Sequence, residues 1–205
     1  MPYYAQPPPL RHHADSDPRP RGLSPPVIPH NLGMKDDTFW VLIDRVRHEY
    51  DELDDQCTFL GETLRQLSPS DCRQAGLCFD RVMQRAYNWP LWGAAFIIGG
   101  GCSDDLFTDF RASLIMRGKT IFETALRNPD TLADLVIPKE WWFFEGFQYE
   151  VHEAVDAVMD DLNSNDLSDG PESREDDETE PTGEEWSENE LANLLPRLFA
   201  KYADQ

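Results

Sequence analysis

The chain has few cations for its length and lacks the patterns that mark several common classes of protein. Its 205 residues include 18 lysines and arginines against 39 acidic residues, which gives a net charge of −21. Such a charge repels the phosphate backbone of nucleic acids, so we expect no nucleic-acid ligand. The four cysteines show no CxxC spacing. Cysteines in this pattern are more often small buried residues than a disulfide framework, and we expect reduced thiols.

Long apolar runs and targeting signals are also missing. The longest run free of charge and strong polarity in the middle of the chain, Trp89 to Gly101, is too short and too rich in glycine to cross a bilayer. The first residues lack the basic stretch followed by an apolar stretch that a secretion signal requires. We therefore expect a cytoplasmic protein that has no membrane partner.

Two segments differ in composition from the rest of the chain, which is 40% hydrophobic and 11% aromatic overall. Residues 1–33 are rich in proline and lack apolar periodicity, so we expect a disordered arm, and Met34 is a candidate for an alternative start. Residues 163–185 contain ten acidic residues and only one arginine, Arg174. This composition is typical of a flexible, solvated linker, which can also dock a basic partner.

Residues 34–162 carry apolar side chains at spacings of three and four, with no alternating strand pattern of useful length. The first helix is predicted to begin with Asp36 as its cap, and Ser68-Pro69-Ser70-Asp71 has the composition of another helix start. Residues 186–205 form a last amphipathic piece, interrupted by Pro196, that we expect to pack back on the domain. The sequence therefore predicts an all-α fold: one compact multi-helix domain with a C-terminal docking helix.

The segment WPLWGAAFIIGGGCSDDLFTDFR, from Trp89 to Arg111, is the most informative part of the chain. Residues 91–98 are apolar on every side, which is typical of a helix at the centre of a core. The glycines that follow end that helix, and a serine then offers the side chain of a helix cap. The residues expected to serve this architecture are Trp92, Gly93, Gly100, Gly101, Cys102, Ser103 and Phe110.

The best candidates for chemistry lie at the start of the helix after these glycines. They are Asp104, Asp105, Asp109 and Arg111. Asp105 and Asp109 are one helical turn apart and can bind Mg²⁺ through oxygen ligands, but a catalytic metal site needs a third ligand, such as Glu123 or His152. The alternative is structural: the first two aspartates stabilise the helix dipole, while Asp109 and Arg111 face water or pair with neighbouring elements.

Other chemistry at this point of the chain has less support. The three glycines precede a helix start, but no strand comes before them and no Lys-Ser/Thr pair follows, so a phosphate site is not expected. A helix start also lowers the pKa of a thiol such as Cys102, but the adjacent aspartates oppose that effect, and no histidine motif supplies a base. We expect no cofactor.

The motifs WGAA, GGCSDD and FR, together with the Asn-Pro-Asp turn that follows them, resemble the core of a bacterial family named domain of unknown function 4240. The opening MKDDTFWVLIDRVR and the closing GEEWSENELANLLPRLFAKY are similar to the two ends of the same family, so the resemblance covers residues 34–202. Gly99, Leu106 and Ser113 stand where the family has Asn, Gly and Trp. The resemblance implies a small, mostly helical bacterial protein, and it does not imply a reaction.

Three functional hypotheses remain open at this point. The first is a cytosolic interaction or regulatory module with a protein partner, for which a basic partner fits the charge. The second is a hydrolase or transferase that uses the acidic helix start, with or without a metal. The third is an immunity or antitoxin-like protein whose acidic face blocks a basic toxin. The absence of a complete catalytic set in the sequence favours the first hypothesis over an enzyme.

Overall fold

The structure is a computed structural model, and it describes residues 35–163 and 180–202. The predicted arm of residues 1–33 and most of the predicted acidic linker lie outside these ranges. The described residues form 3₁₀ helices at Pro129–Asp134, Lys139–Trp142 and Glu188–Glu190, and the α-helices α1 (Asp36–Glu49), α2 (Leu53–Arg65), α3 (Pro69–Arg85), α4 (Trp89–Gly99), α5 (Asp104–Ile115), α6 (Lys119–Arg127), α7 (Gly146–Asn163), α8 (Leu191–Leu194) and α9 (Pro196–Tyr202). The predicted all-α fold is confirmed.

Some helix starts follow local sequence signals, whereas α1, α2 and α6 have no side-chain cap bond. The hydroxyl of Ser68 accepts a hydrogen bond from the backbone N–H of Asp71 at 3.1 Å and donates to its carboxylate at 2.7 Å, as expected for a cap. The prediction that Asp36 caps α1 is wrong, because Lys35 occupies the cap position and makes no side-chain cap bond. Asp36 lies in the first turn instead, where it pairs with Arg81 of α3 at 2.6 Å. The side chain of Asp36 therefore forms an ion pair with another helix and does not cap its own.

The core lies between the apolar stripes of the longer helices. α7 packs against α2 and α3, α5 packs against α3 and α7, and α1 covers α2 and α3. The apolar stripe of α3, from Cys72 to Ala86, is buried throughout. Burial of such stripes is what holds helices of this length in place, since isolated helices of 13 to 17 residues are only marginally stable.

α4 has no polar side and is covered from two directions. Leu91, Ala94 and Ile98 are buried against the helices on one side. The other side is covered by residues 180–202, which we call the C-terminal segment. A Cβ atom on Gly93 would lie 3.0 Å from Leu191 and 3.1 Å from the indole of Trp186, so a larger residue would require these side chains to shift.

The C-terminal segment begins its contact with the domain through its backbone. The N–H of Trp89 donates to the carbonyl of Thr182 at 2.9 Å, and the N–H of Thr182 donates to the carbonyl of Tyr87 at 3.0 Å. The indole N–H of Trp186 then donates to the carbonyl of Trp89 at 2.7 Å. These bonds position the segment at the first turn of α4, where backbone groups have no partner within the helix.

Asp130 caps α9 from a distant part of the sequence. The carboxylate of Asp130 is buried and accepts hydrogen bonds from the backbone N–H groups of Arg197 at 3.0 Å and Leu198 at 2.9 Å. These are the second and third residues of α9, whose amides a normal cap residue would satisfy. Leu195, which precedes α9, has no acceptor in its side chain. The Asn-Pro-Asp turn therefore docks the C-terminal segment, and the predicted docking helix is confirmed.

Replacing Asp130 with alanine is expected to lower the free energy of unfolding by about 1–3 kcal/mol, because two buried backbone donors lose a charged acceptor. Urea unfolding followed by circular dichroism measures the change. The matched control is Asp134→Ala, which removes the exposed pair with Arg197 and should cost less than about 1 kcal/mol. Equal losses in the two variants would contradict the capping role.

Candidate functional site

The turn between α4 and α5 depends on two glycines with backbone conformations that other residues rarely adopt. Gly100 has a φ of 68°, and Gly101 has a φ of 126°. Gly100 ends α4 in the left-handed conformation, which is common directly after a helix. The indole N–H of Trp92 donates to the carbonyl of Cys102 at 3.1 Å, so the turn is also fixed to the middle of α4. The glycines thus set the direction in which α5 leaves.

α5 begins as a capped helix with an acidic first turn. The hydroxyl of Ser103 accepts a hydrogen bond from the N–H of Leu106 at 3.3 Å. Asp104 and Asp105 are exposed in the first turn, where negative charge stabilises the positive end of the helix dipole. Phe110 lies on the opposite side, buried 5.8 Å from the ring of Trp142. The start of α5 therefore presents carboxylates outward and aromatic rings inward.

Arg111 forms no ion pair within 4.0 Å with the aspartates with which the sequence groups it, although the charge of Asp104 acts on its guanidinium. Its guanidinium donates to the carbonyl of Met83 at 3.2 Å and to the hydroxyl of Thr108 at 2.8 Å. It also lies 4.7 Å from the centre of the ring of Tyr87 and 5.1 Å from that of Phe107. Burial lowers the pKa of Arg111 below its usual range. The side chain joins α5 to the end of α3, and its hydrogen bonds go to Met83 and Thr108 and not to a carboxylate.

Asp109 has an unusual environment for an aspartate. Partial burial raises the pKa of Asp109 to about 6, and the charges of Glu145 and Asp105 add to the increase. Glu145 lies directly before α7 and was not among the candidates from the sequence. The sequence feature that could have identified Glu145 is its position inside an aromatic run, between Phe144 and Phe147. An unpaired charged side chain is rarely buried, so a charge within such a run is expected at the surface.

We call Asp104, Asp105, Asp109 and Glu145 the α5 acidic face. In the described residues, no ion pair within 4.0 Å joins any of these carboxylates to a cation. Repulsion between neighbouring carboxylates favours the protonated form of the most buried one. This agrees with the raised pKa of Asp109. The face can exchange a proton near neutral pH, or it can attract a cationic surface.

The proposed third ligands lie elsewhere and already have partners. Glu123 accepts two hydrogen bonds from Arg85, both at 2.9 Å, and His152 contacts the carboxylate of Asp80 at 3.0 Å. Among the described residues, no group of three His, Cys, Asp or Glu side chains has the arrangement needed to hold a metal ion. The structure does not bring Glu123 or His152 to Asp105 and Asp109.

Cys102 is a partly buried free thiol beside this face. Burial raises its pKa to about 12, and the charges of Asp104 and Asp109 contribute to the increase. The thiolate is the nucleophilic form of cysteine, and at neutral pH this side chain is almost entirely protonated. The environment therefore suits a packed, unreactive cysteine.

A model of the family described as "Protein of unknown function (DUF4240)" matches residues 34–157. The chain belongs to this family. The matched residues include α1 to α6, the glycine turn and the α5 acidic face, while the C-terminal segment follows them. No curated protein and no solved structure matches the chain. None of the helices in the described ranges has the length and hydropathy that a membrane span requires.

Replacing Arg111 with lysine is expected to destabilise the protein by about 1–2 kcal/mol, because an ammonium cannot bond Met83 and Thr108 together while it stacks on Tyr87. Urea unfolding measures the change. Arg73→Lys, at an exposed position of α3, is the control and should change the free energy of unfolding by less than about 0.5 kcal/mol. An Arg111→Lys protein as stable as the wild type would exclude the structural role.

The pKa of Asp109 makes stability depend on pH in a defined window. Because the folded-state pKa is raised above the unfolded value, the folded protein retains a proton that the unfolded chain loses between pH 4 and 6. Stability from this group is therefore present at low pH and is lost as pH rises through 6. Asp109→Asn should be more stable than the wild type at pH 7, and the difference should decrease toward pH 4.

Carboxyl-detected NMR titration tests this assignment directly. The midpoint of Asp109 is expected near pH 6. Glu145→Gln removes a neighbouring charge and should lower the midpoint, while Glu140→Gln, an exposed carboxylate before Trp141, should leave it unchanged. A midpoint near 4 in the wild type would refute the burial and repulsion described for this site.

Proposed function

We propose that the protein is a cytosolic interaction module whose α5 acidic face binds a basic protein partner. The observation that carries the proposal is the set of four clustered carboxylates that have no ion-pair partner among the described residues. Arg111, the cation closest to the three aspartates in sequence, donates its hydrogen bonds to Met83 and Thr108. A cluster of this kind is unfavourable in the free protein and is relieved when a cationic surface approaches.

The fixed orientation of the first turn of α5 supports the same proposal. The glycine turn, the Ser103 cap and the Arg111 contacts together hold the first turn of α5 in one orientation. Carboxylates on a fixed helix lose little conformational entropy on binding, so their attraction for a partner is not offset by ordering. The net charge of −21 adds a long-range field that increases the rate of encounter with a basic protein.

The proposal that the α5 acidic face binds a basic protein is tested by affinity capture from the lysate of the cell that produces the protein. The full chain is compared with the variant Asp104→Asn, Asp105→Asn, Glu145→Gln. The matched control is Asp54→Asn, Asp55→Asn, Glu62→Gln, which removes three exposed charges from α2, two of them also in a first helical turn. A basic protein should be retained by the wild type and the control, lost from the α5 variant, and released by added salt.

The same captured proteins in all three samples would contradict the proposal. So would a captured protein that is acidic, or one whose retention is independent of salt. All the substituted side chains lie on the surface, so the helical fold should be intact in each variant, and circular dichroism checks this.

A hydrolase or transferase is the second candidate, and one observation favours it. A carboxyl with a pKa of about 6 can act as a general acid or base near neutral pH, and Asp109 has that property. Ester and phosphoester substrates can be offered to the wild type and to Asp109→Asn. Activity that has a pH midpoint near 6 in the wild type and disappears in the variant would favour the enzyme over the interaction module.

A further inference from the structure

A pocket of about 340 Å³ lies where the C-terminal segment meets the start of α4 and the Asn128-Pro129 turn. This volume is at the lower end of the range of about 300–1,000 Å³ that ligand pockets span. None of its lining residues belongs to the α5 acidic face. It is therefore a separate feature of the surface, formed only because the C-terminal segment packs on the domain.

The wall of the pocket contains an apolar side chain that the fold leaves uncovered. Leu191 and Leu195 are buried, with 2% and 5% of their surface exposed, and form an apolar base. Leu194 lies beside them in the pocket with 57% of its surface exposed. A large side chain that is packed on one side and open on the other provides a surface for the hydrocarbon part of a ligand.

Two carboxylates at the rim are available for a cation. Glu184 and Glu185 are exposed, and neither forms an ion pair within the described part of the chain. Glu190 also lines the pocket, but its carboxylate is occupied by the N–H and hydroxyl of Ser187 at 2.8 and 2.7 Å. The guanidinium of Arg127 donates to the hydroxyl of Thr124 at 3.3 Å. Carboxylates thus outnumber cations three to one in the lining.

We propose that this pocket binds a lysine or arginine side chain from a basic segment of a partner protein. The methylene stem lies against Leu194 and Trp186, and the charged head lies between Glu184 and Glu185. Long cationic side chains favour such an arrangement, because they bury their stems on apolar surface while the head remains near water and counter-charge. The carboxylates disfavour nucleotides and other anions, and a neutral ligand leaves them unused.

The assignment goes beyond the proposed function, because it names a site and a side-chain class outside the α5 acidic face. The two proposals can fail separately. The pocket can bind a cation even if the α5 acidic face binds no partner, and the face can bind a partner even if the pocket binds no cation. Charge complementarity and the uncovered Leu194 select the occupant. Residues 1–34 of the same chain also contain arginines, and they are the competing occupant that the experiment has to distinguish.

The test is an NMR titration of the ¹⁵N-labelled full chain at low salt with an acetylated, amidated tetrapeptide of sequence Leu-Lys-Leu-Arg. The control peptide has norleucine in place of both basic residues, which keeps the stems and removes the charges. The readout is the indole N–H of Trp186, assigned with Trp186→Phe, and the amides of Glu184 and Leu194. Saturable shifts are expected with the basic peptide only.

Variants of exposed residues localise the binding. Glu184→Gln with Glu185→Gln, and separately Leu194→Asn, should each weaken binding by about fivefold or more. Glu188→Gln removes a neighbouring exposed charge that does not line the pocket and should change the affinity by less than about twofold. An unchanged Trp186 resonance in the free variants shows that the segment is still docked.

Three results would overturn the proposal. They are equal binding of the norleucine peptide, equal loss of affinity in Glu188→Gln, and the absence of saturable shifts at Trp186. A fourth result would show that the occupant comes from the same chain and not from a partner. If Glu184→Gln with Glu185→Gln moves the resonances of Arg11, Arg19 or Arg21 in the free protein, the pocket holds an arginine of residues 1–34.

Discussion

The structure depends on one constraint, which is that α4 is apolar on every side and has to be covered on every side. A helix with a polar stripe can lie at the edge of a domain, but Leu91 to Ile98 offer no such stripe to water. The helices α1 to α7 bury only part of this surface. The C-terminal segment covers a further part and approaches so closely that a Cβ atom on Gly93 would lie 3.0 Å from Leu191, while Trp92, Phe96 and Ile97 remain partly exposed. The segment is therefore part of the core and not an appendage to it.

The position of the acidic face follows from the same constraint. Because α4 is held on both sides, the left-handed glycine turn that ends it has a fixed direction, and so does the first turn of α5. Phe107 stacks on Trp92 at 4.8 Å and Phe110 is buried, so Asp104 and Asp105 lie on the exposed side of the helix, while Asp109, between the two rings in sequence, is partly buried. The same segment therefore determines the packing of α4 and the position of the surface carboxylates, which form no ion pair within 4.0 Å among the described residues.

Features that depend on neighbours within one or two helical turns were predictable, and features that depend on distant contacts were not. The Ser68 and Ser103 caps and the buried stripe of α3 follow from local spacing. Asp36 was mistaken for a cap because its ion pair with Arg81 bridges 45 positions. The direction of Arg111, the proximity of Glu145 to Asp109 and the capping of α9 by Asp130 likewise depend on how helices pack, which spacing alone does not determine.

The central claim, that the C-terminal segment and α4 form one cooperative unit, is tested most directly by native-state hydrogen exchange at increasing urea concentrations. The account predicts that the amides of Ala95 and Ile98 in α4 and those of Leu198 and Phe199 in α9 exchange with the same free energy of opening and the same dependence on urea. Amides of α9 that open at a much lower free energy, without dependence on urea, while α4 remains protected, would contradict it.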